Sequence, residues 1–128
     1  MLGHSYGSTV IGHSARDEGL NADEVVFVGS PGVGVSSAGH LNFPDEHVYA
    51  TVAEHDMIHV ANTGNPVFDP HGPDPTSGGF GAHVFASDPG TAGPGGIYSG
   101  DAHSEYWNDR NVALKNMGYI IAGHPPTA

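Results

Sequence analysis

A serine flanked by two glycines lies near the start of the chain, in the pattern Gly3-x-Ser5-x-Gly7. This spacing is typical of a sharp turn from a strand into a helix that presents a serine hydroxyl as a nucleophile. A Cβ at either glycine is expected to press on the neighbouring strand or helix. The pattern is weak by itself in a chain with 20 glycines. The pattern therefore indicates a nucleophile only if an acid and then a histidine follow it along the chain, near the ends of strands.

Two later residues meet that requirement. Asp56 comes just after a predicted strand, and His103 lies in a late loop before the predicted terminal helix. A serine nucleophile needs a histidine as its base and an acid that orients the base, so Ser5, Asp56 and His103 form a candidate triad. The choice of acid stays open, because four other carboxylates are rivals: Asp45, Glu54, Asp74 and Asp101. Of these, Asp74 is expected instead to fix the turn at 71–75 through its side chain.

The segments around these residues predict alternating helices and strands. A helix is expected from Tyr6 to about Glu18, with Val10, Ile11 and Ala15 as its apolar positions and small residues that allow close packing on a sheet. The continuous apolar run at 24–29 predicts a strand buried on both faces, as in a parallel sheet. A second strand is expected at 47–53. Helix followed by strand is half of a βαβ unit, so the predicted fold class is α/β with a short, mostly parallel sheet.

The second half of the chain is rich in Gly, Pro, Asn, Asp and Ser from about 62 to 98, which predicts a long loop region. Within it, residues 80–86 are expected to form a short strand or an apolar anchor. A terminal helix is expected from Ser104 or Asn108 to about Ala122. Its predicted apolar face consists of Tyr106, Val112, Ala113, Leu114, Met117 and Ile120 or Ile121.

Composition excludes several classes of function. The chain has 3 Lys+Arg against 14 Asp+Glu, a net charge of −11, which disfavours nucleic acid and anionic membrane surfaces as partners. The absence of cysteine excludes a cysteine nucleophile and a thiolate metal site. No targeting signal or run long enough to span a membrane is visible. The glycine-rich segment 29–34 lacks the lysine that a phosphate-binding loop requires, so it is interpreted as a strand-end loop.

Five motifs, in order along nearly the whole chain, carry a resemblance to a known family. They are Gly3-His4-Ser5-Tyr6-Gly7-Ser8, Val26-Phe27-Val28-Gly29-Ser30-Pro31-Gly32, His71-Gly72-Pro73-Asp74-Pro75, Phe80-Gly81-Ala82 and His103-Ser104-Glu105-Tyr106. Together they resemble the α/β-hydrolase family of undefined function found mainly in actinobacteria, which is known more by its fold than by assigned substrates.

The resemblance implies that residues 1–128 are the C-terminal half of an α/β-hydrolase domain, beginning at the nucleophile elbow. It implies Ser5, Asp56 and His103 as the triad and the backbone N–H of Tyr6 as one oxyanion donor. His4 is expected to pack at the elbow or near the oxyanion. The implied activity is hydrolysis of small carboxylic esters, esterase- or lipase-like, with no cofactor.

Family members carry several strands before the elbow, and one of their loops supplies a second oxyanion donor. This half of the fold is expected to be absent from the chain, which leaves an exposed sheet edge. Loss of one donor typically costs about 10²–10³ in rate, so reduced activity is expected of the isolated chain. A second copy, as a homo-oligomer, or a missing N-terminal segment is expected to complete the sheet.

Two other classes of function stay open. One is a non-catalytic binding or assembly module derived from a hydrolase. The other is a metal site, because His55 and His59 have the i, i+4 spacing that can place two imidazoles on one helical face, and His71, His83 and many carboxylates could add ligands. The sequence has no H-E-x-x-H motif, since His55 is followed by Asp56.

Overall fold

A computed structural model describes residues 1–63 and 69–128. Its strands form one parallel sheet in the order β1 (Leu2–His4), β2 (Val25–Val28), β3 (Val48–Thr51) and β4 (His83–Val84). Two α-helices are α1 (Tyr6–Glu18) and α2 (Val112–Ile121). The predicted α/β class and the parallel sheet are confirmed, and both predicted strands are present, although each is shorter than expected.

The sheet has a core on each face, and β2 contributes to both. Alternate residues of a strand point to opposite faces. Val25 and Phe27 pack with Ala15 of α1, whereas Val26 and Val28 pack with residues of α2. All four residues of β2 are buried, which confirms the prediction from the continuous apolar run. The two helices therefore cover opposite faces, and the carboxyl ends of the strands meet at one edge.

Helix α1 has the predicted bounds but a different buried face. Val10 is exposed, and the buried positions are the small residues Ser8, Thr9, Gly12 and Ala15. A Cβ at Gly12 would lie 2.0 Å from Val33 O, so the helix packs too closely on the loop after β2 to admit any side chain there. The expectation of close packing through small residues is confirmed, and the assignment of Val10 to the apolar face is wrong.

Helix α2 begins later than expected. A 3₁₀ helix, Glu105–Trp107, precedes it, and Asn111 caps α2 by accepting a hydrogen bond from Ala113 N at 2.8 Å. Leu114 is exposed, so its predicted place on the apolar face is wrong. Of the two alternatives at the end of that face, Ile120 is buried and Ile121 is exposed. Asn116 is buried instead, and its amide donates to Ala86 O at 3.1 Å and pairs with Thr127.

The described residues of the predicted loop, 62–63 and 69–98, contain little regular structure, as predicted. The expected strand or anchor at 80–86 is β4, flanked by the buried rings of Phe80 and Phe85. Residues 64–68 of the predicted loop lie outside the described residues. In the described ranges, neither helix is long and apolar enough to cross a membrane.

Candidate active site

Ser5 occupies a strained turn between β1 and α1. Its backbone has φ 58° and ψ −132°, a conformation that costs a non-glycine residue free energy. The conformation is held because Ser5 N donates to Val28 O at 2.9 Å, which ties the turn to β2. The hydroxyl is thereby presented at the carboxyl edge of the sheet.

The two glycines of the elbow differ in function. A Cβ at Gly3 would lie 2.7 Å from Ser8 Cα and 2.7 Å from Ile11 Cδ1, so Gly3 allows the helix to turn back over the strand. A Cβ at Gly7 would meet no atom within 4 Å. The expectation of steric pressure is confirmed for Gly3 and wrong for Gly7, because Gly7 lies on the outward side of the first helical turn.

Buried hydroxyls support the elbow from below. Ser8 Oγ lies 2.5 Å from Ser5 O and 2.6 Å from Ser30 Oγ, and Ser30 Oγ accepts a hydrogen bond from Gly32 N at 3.0 Å. Ser8 and Ser30 are both buried. The carbonyl of Ser5 is therefore linked through side chains to the loop that follows β2.

Asp56 is fully buried, just beyond the end of β3. Its Oδ1 accepts hydrogen bonds from Ile58 N at 2.8 Å and from His103 Nδ1 at 2.7 Å. Its Oδ2 accepts a hydrogen bond from the hydroxyl of Tyr106. Three donors thus surround the carboxylate, which is the environment that a buried negative charge needs.

His103 connects Asp56 to Ser5. Its Nδ1 faces Asp56, and its Nε2 lies 2.8 Å from Ser5 Oγ. With the proton on Nδ1, Nε2 is free to accept the serine proton. The structure therefore brings Ser5, Asp56 and His103 together in one chain of hydrogen bonds, with Asp56 in the position of the acid.

The loops that carry Asp56 and His103 are joined by backbone pairing. Ser99 N donates to His55 O at 2.8 Å, and Met57 N donates to Ser99 O at 3.2 Å. Ala102, next to His103, donates from its backbone N to Ser99 Oγ at 3.1 Å and is fully buried. The position of the histidine is thus fixed relative to the acid by main-chain pairing and by the hydroxyl of Ser99.

His4 lies on the other side of His103. Its Nε2 donates to His103 O at 2.7 Å, and the two imidazole rings are 4.7 Å apart. The Trp107 ring meets His4 edge-on at 5.7 Å. Burial lowers the pKa of His4 by more than the hydrogen bond to His103 O raises it. His4 therefore packs at the elbow with a proton on Nε2, since its partner is a carbonyl oxygen.

The rival acids lie elsewhere. Asp74 Oδ1 accepts from Thr76 N at 2.8 Å, which is the expected turn-fixing contact. In the described part of the chain, the other three carboxylates make no hydrogen bond or ion pair with His103; they are Asp45, Glu54 and Asp101. Tyr6 is the first residue of α1, so its backbone N–H has no intrahelical acceptor.

The histidines of the metal hypothesis are dispersed. His59 lies in the 3₁₀ helix Met57–Val60, whereas His55 precedes it, so the two do not share a helical face. His59 Nε2 is 3.0 Å from Ala53 O, His71 packs on the Tyr6 ring and His83 packs on the Tyr49 ring. Within residues 1–63 and 69–128, no group of three or more His, Asp or Glu is placed to hold a metal ion.

Comparison with known proteins identifies the family of the chain. A family model described as alpha/beta hydrolase matches residues 1–66, which include Ser5 and Asp56. The chain belongs to the alpha/beta hydrolase family. Two uncharacterized proteins of Mycobacterium tuberculosis, from strains CDC 1551 / Oshkosh and ATCC 25618 / H37Rv, are each 30% identical over 141 residues and 97% of this chain. The alignment covers 21% of each relative, so the chain spans about a fifth of their length. No solved structure matches.

The position of Tyr106 in this α/β hydrolase differs from the one that its sequence predicts. The apolar pattern predicts Tyr106 on the face of the terminal helix, but the residue lies in the 3₁₀ helix before α2 and is fully buried. Its hydroxyl donates to Asp56 and accepts from Ala53 N at 2.9 Å. The available signal was chemical: a buried tyrosine hydroxyl needs a polar partner, and Tyr106 follows His103 by three positions.

Proposed function

We propose that this protein is a serine hydrolase that cleaves carboxylic esters through an acyl-enzyme. The observation that carries the proposal is the continuous chain of hydrogen bonds from Ser5 Oγ through His103 to the buried Asp56. This is the arrangement that activates a serine hydroxyl on many unrelated scaffolds. Membership of the alpha/beta hydrolase family supports hydrolysis as the general reaction.

The reaction follows from the positions of the three side chains. Ser5 Oγ attacks the ester carbonyl while His103 Nε2 takes its proton, and the same proton then passes to the leaving alkoxide. His103 next removes a proton from water, and the water oxygen attacks the acyl carbon. The same proton then passes from His103 to Ser5 Oγ as the acyl–oxygen bond breaks, which releases the carboxylic acid and restores the serine hydroxyl. Asp56 holds the tautomer of His103 and stabilises its cation.

The developing oxyanion requires donors beside Ser5. The backbone N–H of Tyr6 fits this role, because it follows the nucleophile and lies at the N-terminus of α1, where the helix dipole favours negative charge.

The finer family assignment, to the α/β hydrolases of undefined function found mainly in actinobacteria, is also part of this proposal. The mycobacterial origin of the two relatives supports it.

The test uses a fluorophosphonate probe and a short-chain p-nitrophenyl ester. We expect the probe to label Ser5 and the ester to be hydrolysed. Ser5→Ala should abolish labelling and lower kcat by at least about 10⁴-fold. Ser14→Ala is the matched control, since Ser14 is an exposed serine on α1, and it should retain both signals.

Two outcomes would contradict the proposal. A folded wild-type protein that neither takes the label nor cleaves the ester would favour the non-catalytic binding module. Labelling that persists in Ser5→Ala would identify a different nucleophile. Circular dichroism of each variant establishes that the protein is folded.

A further inference from the structure

We propose that Tyr106 is a positioning residue that sets the basicity of the Asp56–His103 pair through its hydrogen bond to Asp56. This inference rests on the proposed function. The two oxygens of the carboxylate have different partners: Oδ1 faces His103 and Ile58 N, while Oδ2 faces the Tyr106 hydroxyl. The phenol therefore touches the acid on the side away from the histidine.

Burial makes this contact specific. Tyr106 and Asp56 are both fully buried, so water does not compete for the carboxylate. The Tyr106 oxygen also accepts a hydrogen bond from Ala53 N at 2.9 Å, which fixes the hydroxyl proton on the side of Asp56. Ala53 follows β3, so the phenol is held by the same segment that carries the acid.

A glycine leaves the room for this contact. Gly29 follows β2 with φ 54°, and a Cβ there would lie 2.8 Å from Asp56 Oδ2 and 3.2 Å from the Tyr106 oxygen. Any side chain at position 29 would enter the space where the two groups meet. The loop after β2 thus borders the pair directly, although it contributes no polar side chain to it.

The phenol stays a donor across the working pH range. Burial first, and the hydrogen bond to Asp56 second, raise the pKa of Tyr106 above its usual value. A donor to Oδ2 spreads the negative charge of the carboxylate away from Oδ1 and prevents its rotation. Asp56 should then be a weaker partner for protonated His103 than an unsupported carboxylate, so loss of the phenol should make the Asp56–His103 pair more basic.

The charged and titratable groups around this pair come from several elements. Asp56 lies after β3, His4 ends β1, and Tyr106 lies in the 3₁₀ helix Glu105–Trp107. Asp74 also acts on Tyr106 electrostatically, through space. Of these groups, only Tyr106 contacts the Asp56 carboxylate while making no hydrogen bond to the ring nitrogens of His103. Its replacement therefore changes the surroundings of the acid and leaves all three residues of the triad in place.

The experiment follows the His103 ring by NMR during a pH titration, in the wild type and in Tyr106→Phe. We expect the titration of His103 to move to higher pH by about half a unit to one unit, because a hydrogen bond to a charged group is lost. In the ester assay, kcat should fall about tenfold with KM nearly unchanged, and the acid limb of the kcat/KM profile should move in the same direction.

A graded variant keeps the test valid if Tyr106→Phe does not fold. Site-specific 3-fluorotyrosine at position 106 retains both hydrogen bonds but donates more strongly, so the His103 titration should move to lower pH. Tyr49→Phe is the matched control, since Tyr49 is a partly buried tyrosine packed against the same core, and it should leave the titration unchanged.

The outcomes separate this inference from the proposed function. An unchanged His103 titration in folded Tyr106→Phe would overturn the positioning role and leave the hydrolase proposal intact. A shifted titration in a protein without esterase activity would support the positioning role and count against the hydrolase. In an Asp56→Asn background, removal of the hydroxyl should have a smaller effect on kcat, and full additivity of the two substitutions would also overturn the inference.

Discussion

The two halves of the candidate site are held in place by different means. The serine half depends on main-chain geometry: a strained backbone at Ser5, a tie from Ser5 N to Val28 O, and the missing side chain of Gly3. In the acid–histidine half, the two loops are paired through their main chains, and side-chain hydrogen bonds from Tyr106 to Asp56 and from His4 to His103 O are added to that pairing. One half is built from local turn chemistry and the other from contacts between distant segments.

This difference explains how the two halves should respond to substitution. A single added Cβ at Gly3 is enough to disrupt the close packing of the serine half, since either the helix or the strand must then move. Hydrogen bonds to side chains can be weakened singly, so the acid–histidine half should lose function in steps. Substitutions in the serine half should therefore change stability first, and those in the other half should change kinetics first.

The largest effect is expected at the centre of the acid–histidine half. Asp56→Asn should lower kcat for ester hydrolysis by about 10⁴-fold, because an amide in place of the carboxylate favours the wrong tautomer of His103 and no longer stabilises its cation. Kinetics on the p-nitrophenyl ester measure this loss. Asp101→Asn, at an exposed acid two residues before His103, is the control and should keep kcat within about twofold. Full activity in Asp56→Asn would reopen the choice of acid.

The next largest effect is on the free energy of unfolding, which alanine should lower at one glycine of the serine half and raise at the other. Gly3→Ala should lower the free energy of unfolding by about 1–3 kcal/mol, since the Cβ would overlap Ser8 and Ile11. Gly7→Ala should raise it by about 0.5–1 kcal/mol, because position 7 is open and alanine favours a helix. Urea unfolding measures both. Equal effects at the two positions would show that the elbow is not held by close packing at Gly3.

The contrast between the halves also decides what could be predicted from the sequence. The elbow, the bounds of α1 and the buried strand β2 follow from glycine spacing and apolar runs, which are local signals. Chain order predicted Ser5, Asp56 and His103 as a candidate triad, and the structure joins the three side chains by hydrogen bonds. The exposure of Val10, the open space at Gly7 and the contact of the Tyr106 hydroxyl depend on which way each residue faces in the folded chain. Local patterns do not carry that information.

The smallest expected effect is a change in the pH dependence of stability at His4. The pKa of His4 in the folded protein is lower than the usual value of 6.5, so the unfolded chain binds the proton first as the pH falls. Above pH 6.5, His4 is unprotonated in both states and does not reduce the free energy of unfolding. As the pH falls from 6.5 through the lower pKa of the folded state, the free energy of unfolding declines. His4→Gln should make this decline shallower, because glutamine can still donate to His103 O but does not titrate.

Urea unfolding at a series of pH values measures this slope. His124→Gln is the matched control, since His124 is exposed near the C-terminus of the described chain. The control should leave the decline as steep as in the wild type. A His4→Gln variant with an unaltered slope would remove His4 from the groups that couple the site to pH.

The distances along the chain between the hydrogen-bonded partners have a consequence for assembly. Ser5 and His103 are separated by 98 positions, and Asp56 and His103 by 47. Contacts of such long sequence separation form late, after the entropy of closing the intervening loops has been lost. As the chain leaves the ribosome, the elbow emerges first and the base emerges last within this stretch. If Ser5 is the nucleophile that we propose, its hydroxyl gains the His103 base only after synthesis has passed position 103 and the segments between the two residues have folded.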